Sequence, residues 1–175
     1  LWRVLGLRGL KLNLNSLGTP ASRAVYRAKL LDYFGQHRDQ LDADSTRRLD
    51  GNPLRILDSK NPAMGEIISS APNLQDHLDE VSRNHFASLG GYLRDAGVTF
   101  TINPRLVRGL DYYRHTTFEF QGLTLDPAQN ALGGGGRYDG LVESLGGPAT
   151  AGIGFALGGF EGFERLFGIA GMRGA

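Results

Sequence analysis

The order of two hydrophobic periodicities constrains this chain more than any other feature. Between residues 20 and 96 apolar side chains recur at helical spacing, and beyond residue 99 they recur at every second position. Helices first and sheet afterwards predict an α+β domain with an antiparallel sheet. A first strand precedes the helices: Leu10, Leu12 and Leu14 alternate with Lys11, Asn13 and Asn15, as in a strand buried on one face. Gly18 turns the chain, Thr19 can cap and Pro20 can open a helix whose stripe is Tyr26, Leu30, Tyr33, Phe34 and His37, over residues 20–38. Asn52-Pro53 and Asn61-Pro62 punctuate the stretch that follows, predicting short helices joined by loops. A better helix is expected from Asn73, with Leu78, Val81, His85, Leu89, Tyr92 and Ala96 on one stripe, ending at Gly97. Strand patterns then cover residues 99–103, 112–121 and 153–157.

A length of 175 residues suits one domain, or one domain with a subdomain, and 26 glycines assign much of it to turns and loops. With 19 basic and 18 acidic residues the net charge is +1, so any RNA contact must rest on a local patch. There is no cysteine, hence neither a disulfide framework nor a thiolate metal site. His37, His77, His85 and His115 show no ligand spacing, and each reads as core or surface with no metal role. No run approaches the roughly 20 apolar residues that span a bilayer, so the expectation is a cytoplasmic protein with no membrane contact. The chain opens on leucine without an initiator methionine and ends in a glycine-rich tail, as a piece of something longer would.

Three segments could carry chemistry. Residues 106–120 read L-V-R-G-L-D-Y-Y-R-H-T-T-F-E-F. Period two sets Tyr113, Thr117 and Glu119 on one face, opposite Tyr112, Thr116, Phe118 and Phe120. That face could line a pocket, or the segment could be an amphipathic strand whose arginine is a surface charge. Residues 133–147 read G-G-G-G-R-Y-D-G-L-V-E-S-L-G-G, and Gly135 and Gly136 would bring backbone close to a neighbour or a ligand. A phosphate cradle and a flexible turn both fit, because the pattern is neither a P-loop nor a dinucleotide fingerprint. Residues 152–158, G-I-G-F-A-L-G, form a buried-strand pattern containing Gly154 that runs into Phe163-Glu164-Arg165-Leu166, where Arg165 could meet a nucleotide phosphate or be a helix-surface charge.

Taken together and in this order, the three segments resemble the histidyl-tRNA synthetase family. R-G-L-D-Y-Y followed by T-x-F-E is similar to its first histidine motif, G-G-R-Y-D-G-L-V-E-x-L-G-G to its second, and the 152–166 stretch to class II motif 3. L-N-S-L-G and N-P-L-R-I-L-D-S-K-N-P are similar to the segment before the histidine motif. The resemblance implies a class II catalytic core with a helical insertion. Residues 1–20 would end a core strand, 20–98 would be the insertion, and 99–175 the C-terminal part of the core. Arg108 would be the catalytic arginine bridging the histidine carboxylate and the α-phosphate of ATP, a task suited to a planar, permanently charged fork. Tyr112, Tyr113 and Tyr138 would line the histidine pocket, with Tyr113 and Tyr138 expected ahead of Tyr112 because alternation separates the first two. Arg165 would contact ATP. Magnesium would enter with the ATP phosphates, no prosthetic group is implied, and the partners would be histidine, ATP, tRNA(His) and a second subunit of a homodimer.

The chain departs from the family in two ways. Motifs 1 and 2 and the anticodon-binding domain are absent from it. In motif 3, four extra residues separate Gly158 from Phe163, which in a helix would add about 6 Å of rise before Arg165. Asp42, Asp44, Arg47, Arg48 and Asp50 read as a solvated face, in a segment the family places near the tRNA acceptor stem. Two alternatives are a histidine-binding regulatory paralogue acting on ATP phosphoribosyltransferase and an inactive truncated fragment.

Overall fold

The computed structural model describes residues 9–107, 112–123 and 130–157. Strand β1 (Leu10–Ser16) leads into helices α1 (Pro20–Gln36), α2 (Ala43–Asp50), α3 (Gly65–Ser70) and α4 (Glu80–Asp95). Strands β2 (Thr101–Ile102), β3 (Arg114–Gly122) and β4 (Ala131–Arg137), the short helix α5 (Leu141–Ser144) and strand β5 (Ile153–Leu157) follow. The fold is α+β, as the order of periodicities predicts. Among the described residues, no helix is long and apolar enough to cross a membrane.

Local chemistry sets the helix starts. Thr19 accepts from the Ser22 amide and Pro20 occupies the first turn of α1. The helix stops at Gln36, slightly before the expected end, where the His37 Nδ1 ring nitrogen lies 2.7 Å from the Tyr33 carbonyl. The helix expected from Asn73 is two elements. Asn73 opens a 3-10 turn over Leu74–His77, and Asp79 then caps α4 through the Ser82 amide. Asp79 also accepts from Thr19 Oγ1 at 2.5 Å and Ser22 Oγ at 2.7 Å, joining the first turns of α1 and α4. Hydrogen bonds from Thr19, then Ser22, then Ser82 hold its carboxyl far below the usual carboxylate range.

The main core lies in the helical half, where Tyr26, Leu30 and Phe34 are fully buried against Ile56, Met64 and Leu74. Burial pushes the Tyr26 phenol up to about 12, against the opposing influence of Arg105. Of the stripe expected on the helix from Asn73, Leu78 joins the core, whereas Val81 is 69% exposed and Tyr92 72%. The α2 surface is solvated as anticipated, with Asp44 bridging Arg47 and Arg48.

The sheet runs β2-β1-β3-β4-β5. Every pair is antiparallel except β1 with β2, which is parallel and only two residues long, shorter than the expected strand over residues 99–103. Cross-strand partners share a face. Asn13, Asn15, Thr117, Glu119, Gly134 and Gly136 are therefore on one face, and Leu12, Leu14, Phe118, Phe120, Gly133 and Gly135 on the other. Helix α4 lies against the second face, where Phe86 and Gly90 share a cleft with Leu14 and Ile102. Strand β1 is buried on both faces rather than one, since Asn13 and Asn15 are as inaccessible as Leu14. Strand β5 departs from its buried pattern in the other direction: Ile153 and Phe155 are each 68% exposed.

Candidate functional site

Strand β3 begins at Arg114, so Tyr112 sits in a turn and Tyr113 just ahead of the strand. The register with β4 passes from Arg114 opposite Arg137 directly to Thr117 opposite Gly136. That bulge breaks the alternation, and His115 absorbs it with a φ of 53°, a left-handed conformation uncommon outside glycine. Tyr112 and Tyr113, expected on opposite faces of a strand, both precede β3, so strand alternation does not separate them. Their rings are 5.0 Å apart, and Tyr112 meets Tyr138 edge to face at 6.1 Å. Tyr113 is 7% exposed and Tyr112 36%, so the trio runs from the interior to the surface.

Glycine makes room for these rings. A Cβ on Gly136 would lie 2.7 Å from both the Tyr113 ring and the Thr116 carbonyl. One on Gly152 would collide with the Tyr138 ring, and one on Gly154 would lie 3.0 Å from the Tyr138 hydroxyl. The glycine run is thus neither a flexible turn nor a phosphate cradle but strand β4, which lies between β3 and β5, and at Gly135 the close neighbour is β5, with Phe155 Cα 2.7 Å from where a Cβ would stand. On the same face as Gly136, Asn13 is 1% exposed and neither atom of its side-chain amide has a hydrogen-bond partner among the described residues. The Tyr138 hydroxyl donates to the Ile153 carbonyl at 3.2 Å, which leaves its oxygen lone pairs to accept from something else.

The segment before the first motif is held at two points. Asn15, fully buried, donates to the carbonyls of Pro104 and Leu106. Arg105 spreads its guanidinium over the carbonyls of Ser69, Ala71 and Pro72 at the end of α3. Arg108, which follows this segment, and Arg165 both lie outside the described residues.

Sequence reasoning missed a polar cluster around Arg137. Its Nε lies 2.6 Å from Asp139 Oδ2 and its Nη1 3.1 Å from His85 Nε2, while the His85 and His115 rings sit 5.3 Å apart. Burial, then the Arg137 charge, lowers the His85 pKa against the pull of Asp139. His115 is lowered by burial, then His85 and Arg137, against Asp139 and Asp79. The only signal in the sequence was the charged pair flanking Tyr138 in R-Y-D. Among the described residues no three His, Cys, Asp or Glu side chains gather as a metal site.

With this geometry in place, similarity to known proteins is decisive: a family model described as histidyl-tRNA synthetase matches residues 37–159. The chain belongs to the histidyl-tRNA synthetase family. Over 97% of its length it is 56% identical to the histidine--tRNA ligase of Bordetella pertussis, of which it covers 38%. It is 57% identical to that of Dechloromonas aromatica over the same shares. The crystal structure of apo S. aureus histidyl-tRNA synthetase superposes with a TM-score of 0.67 at 37% identity, covering 95% of this chain and 41% of the other. The chain thus carries the class II synthetase fold and spans 38% of the length of these curated relatives.

Proposed function

We propose that this chain supplies the histidine-binding part of a histidine–tRNA ligase, which forms histidyl-adenylate from histidine and ATP and passes the histidyl group to tRNA(His). The observation that carries this reading is the gathering of Tyr112, Tyr113 and Tyr138 beside Gly136 and Gly154. Seated on bare glycine backbone, the tyrosine rings offer a flat, partly apolar wall for an imidazole. The Tyr138 hydroxyl, already donating to Ile153, would accept from an imidazole N–H. A ring of similar size without that N–H would leave buried polar atoms unpaired, which is a source of strong discrimination.

In the activating step a histidine carboxylate oxygen attacks the α-phosphorus of ATP, the bond to the bridging oxygen breaks, and pyrophosphate leaves. Negative charge builds on the phosphoryl oxygens, and a fixed cation lowers that barrier. Family resemblance gives this task to Arg108. Arg165 takes the ATP contact of motif 3, set four residues later than in the family pattern. Magnesium would accompany the nucleotide phosphates, keeping several of its waters. The residue blocks 1–20, 20–98 and 99–175 act as core strand, insertion and core, in a cytoplasmic homodimer whose motifs 1 and 2 and anticodon-binding domain lie in other sequence. The R-G-L-D-Y-Y string favours the ligase over the regulatory paralogue, which has no need of a catalytic arginine.

Calorimetric titration of the chain with L-histidine tests the pocket. The expected result is a saturable heat, weakened about tenfold by Tyr138→Phe for one lost hydrogen bond, and absent with L-phenylalanine. No saturable heat with histidine, or equal heat with both amino acids, would contradict the reading.

A further inference from the structure

The polar cluster behind Tyr138 forms a continuous chain of contacts between α4 and the tyrosine trio. Arginine has donors but no acceptor, so the Arg137 Nη1 contact at 3.1 Å requires His85 Nε2 to accept. His85 must then be neutral, with its proton on Nδ1. Arg137 Nε donates to Asp139 Oδ2, and Asp139 Oδ1 accepts from the Gly152 amide at 3.1 Å. The Gly152 carbonyl in turn accepts from the Tyr138 amide at 2.7 Å, and Gly152 is the residue whose missing Cβ admits the Tyr138 ring. Gly152 is therefore gripped at its N–H by a charged group and at its C=O by the backbone of Tyr138. Hydrogen bonds to ionised partners are roughly twice as strong as neutral ones, so the grip depends on the Asp139 carboxylate keeping its orientation.

We propose that His85, through Arg137 and Asp139, is a positioning residue that fixes Tyr138 for histidine binding. This rests on the reading of Tyr138 as a pocket residue. The arrangement places the lock outside the pocket: Arg137 is paired in register with Ile153 at the end of the β4–β5 ladder, whereas Tyr138 packs over Gly152 and Gly154. A second copy of a positive charge at position 85 would face Arg137 directly, withdraw the acceptor and release Arg137 from its fixed orientation. The groups facing His85 are Arg137, Asp139 and His115, and those facing His115 add Asp79 and the Ser82 hydroxyl at 3.3 Å. Apart from the two acids, these surroundings oppose protonation.

Two readouts test the proposal. Long-range proton–nitrogen NMR of the imidazoles in this chain should give His85 as the neutral Nδ1–H form at neutral pH, and the Gly152 and Tyr138 amides should be protected from hydrogen exchange. His85→Lys should speed exchange of both amides, while His85→Gln, whose side-chain oxygen can accept from Arg137, should restore their protection. In pyrophosphate exchange, with the chain complemented by the amino-terminal portion of the Bordetella pertussis relative, His85→Lys should raise the histidine KM about tenfold. The ATP KM should hold, and His85→Gln should lie within about twofold of the parent. An Nε2–H form of His85, unchanged amide exchange in His85→Lys, or an unchanged histidine KM in that variant would overturn the proposal. Loss of histidine-dependent exchange in the parent mixture would instead overturn the functional reading, and the NMR measurements would still decide whether the clamp exists.

Discussion

Gly135 shows how one missing side chain fixes the geometry around it. A Cβ there would strike the backbone of β5, at the Gly154 carbonyl and at Phe155 Cα, and strand backbone cannot swing aside as a flexible side chain can. Gly135→Ala is expected to lower the free energy of unfolding by about 1–3 kcal/mol, the usual cost of overpacking. Gly91 in α4 is the control, because nothing lies within 4 Å of a Cβ added there. Gly91→Ala should stabilise by about 0.5–1 kcal/mol through helix propensity. Urea unfolding of the two variants checks both signs, and equal effects would contradict the packing account. The sequence announced that Gly135 and Gly136 allow close approach; it did not say to what. Four glycines in a row read equally well as a loop, because glycine carries no side chain whose alternation could mark a strand.

At the scale of elements, the segment joining β2 to β3 is held by side chains from distant parts of the chain. Asn15 on β1 grips it from the sheet, and Arg105 reaches back to three carbonyls where α3 ends. Those carbonyls are acceptors that a helix end leaves without intrahelical donors, and a planar guanidinium can serve them together. Arg105→Met is therefore expected to destabilise the fold by about 1–3 kcal/mol, with Arg105→Lys recovering only part, since one ammonium cannot match the fork. Denaturant unfolding measures this, and hydrogen exchange of residues 103–107 should rise in step. Unchanged protection there would contradict the role given to Arg105. Helix starts were legible where cap and proline stood together, as at Thr19 and Pro20. The break at Asp79 was not, because apolar spacing runs on from Leu78 through Val81 and hides a cap whose partners, Thr19 and Ser22, come from another helix. The bulge at His115 was equally hidden. Register irregularity depends on pairing, and period two assumes there is none.

Over the whole molecule, the sheet separates two kinds of chemistry. One face and its rim carry Asn13, Asn15, Thr117 and Gly136, with the tyrosines beside them. The other face meets α4 and carries the leucines and phenylalanines. Composition could not reveal this division, since a net charge of +1 and evenly mixed charges point to no face at all. The first two motif segments contain the three tyrosines whose rings the fold gathers, whereas the Arg137 cluster needed the fold, because His85 lies 52 positions before its partner. The tyrosine-bearing face is expected to activate histidine once the remaining catalytic segments are supplied. Histidine-dependent exchange of pyrophosphate into ATP tests it most directly, using the chain mixed with the amino-terminal portion of the Bordetella pertussis relative. Exchange should need both pieces and histidine, and should fall by about a hundredfold or more in Arg108→Ala, as when one transition-state donor is removed. No exchange in a mixture shown to assemble, or exchange unchanged by Arg108→Ala, would contradict it.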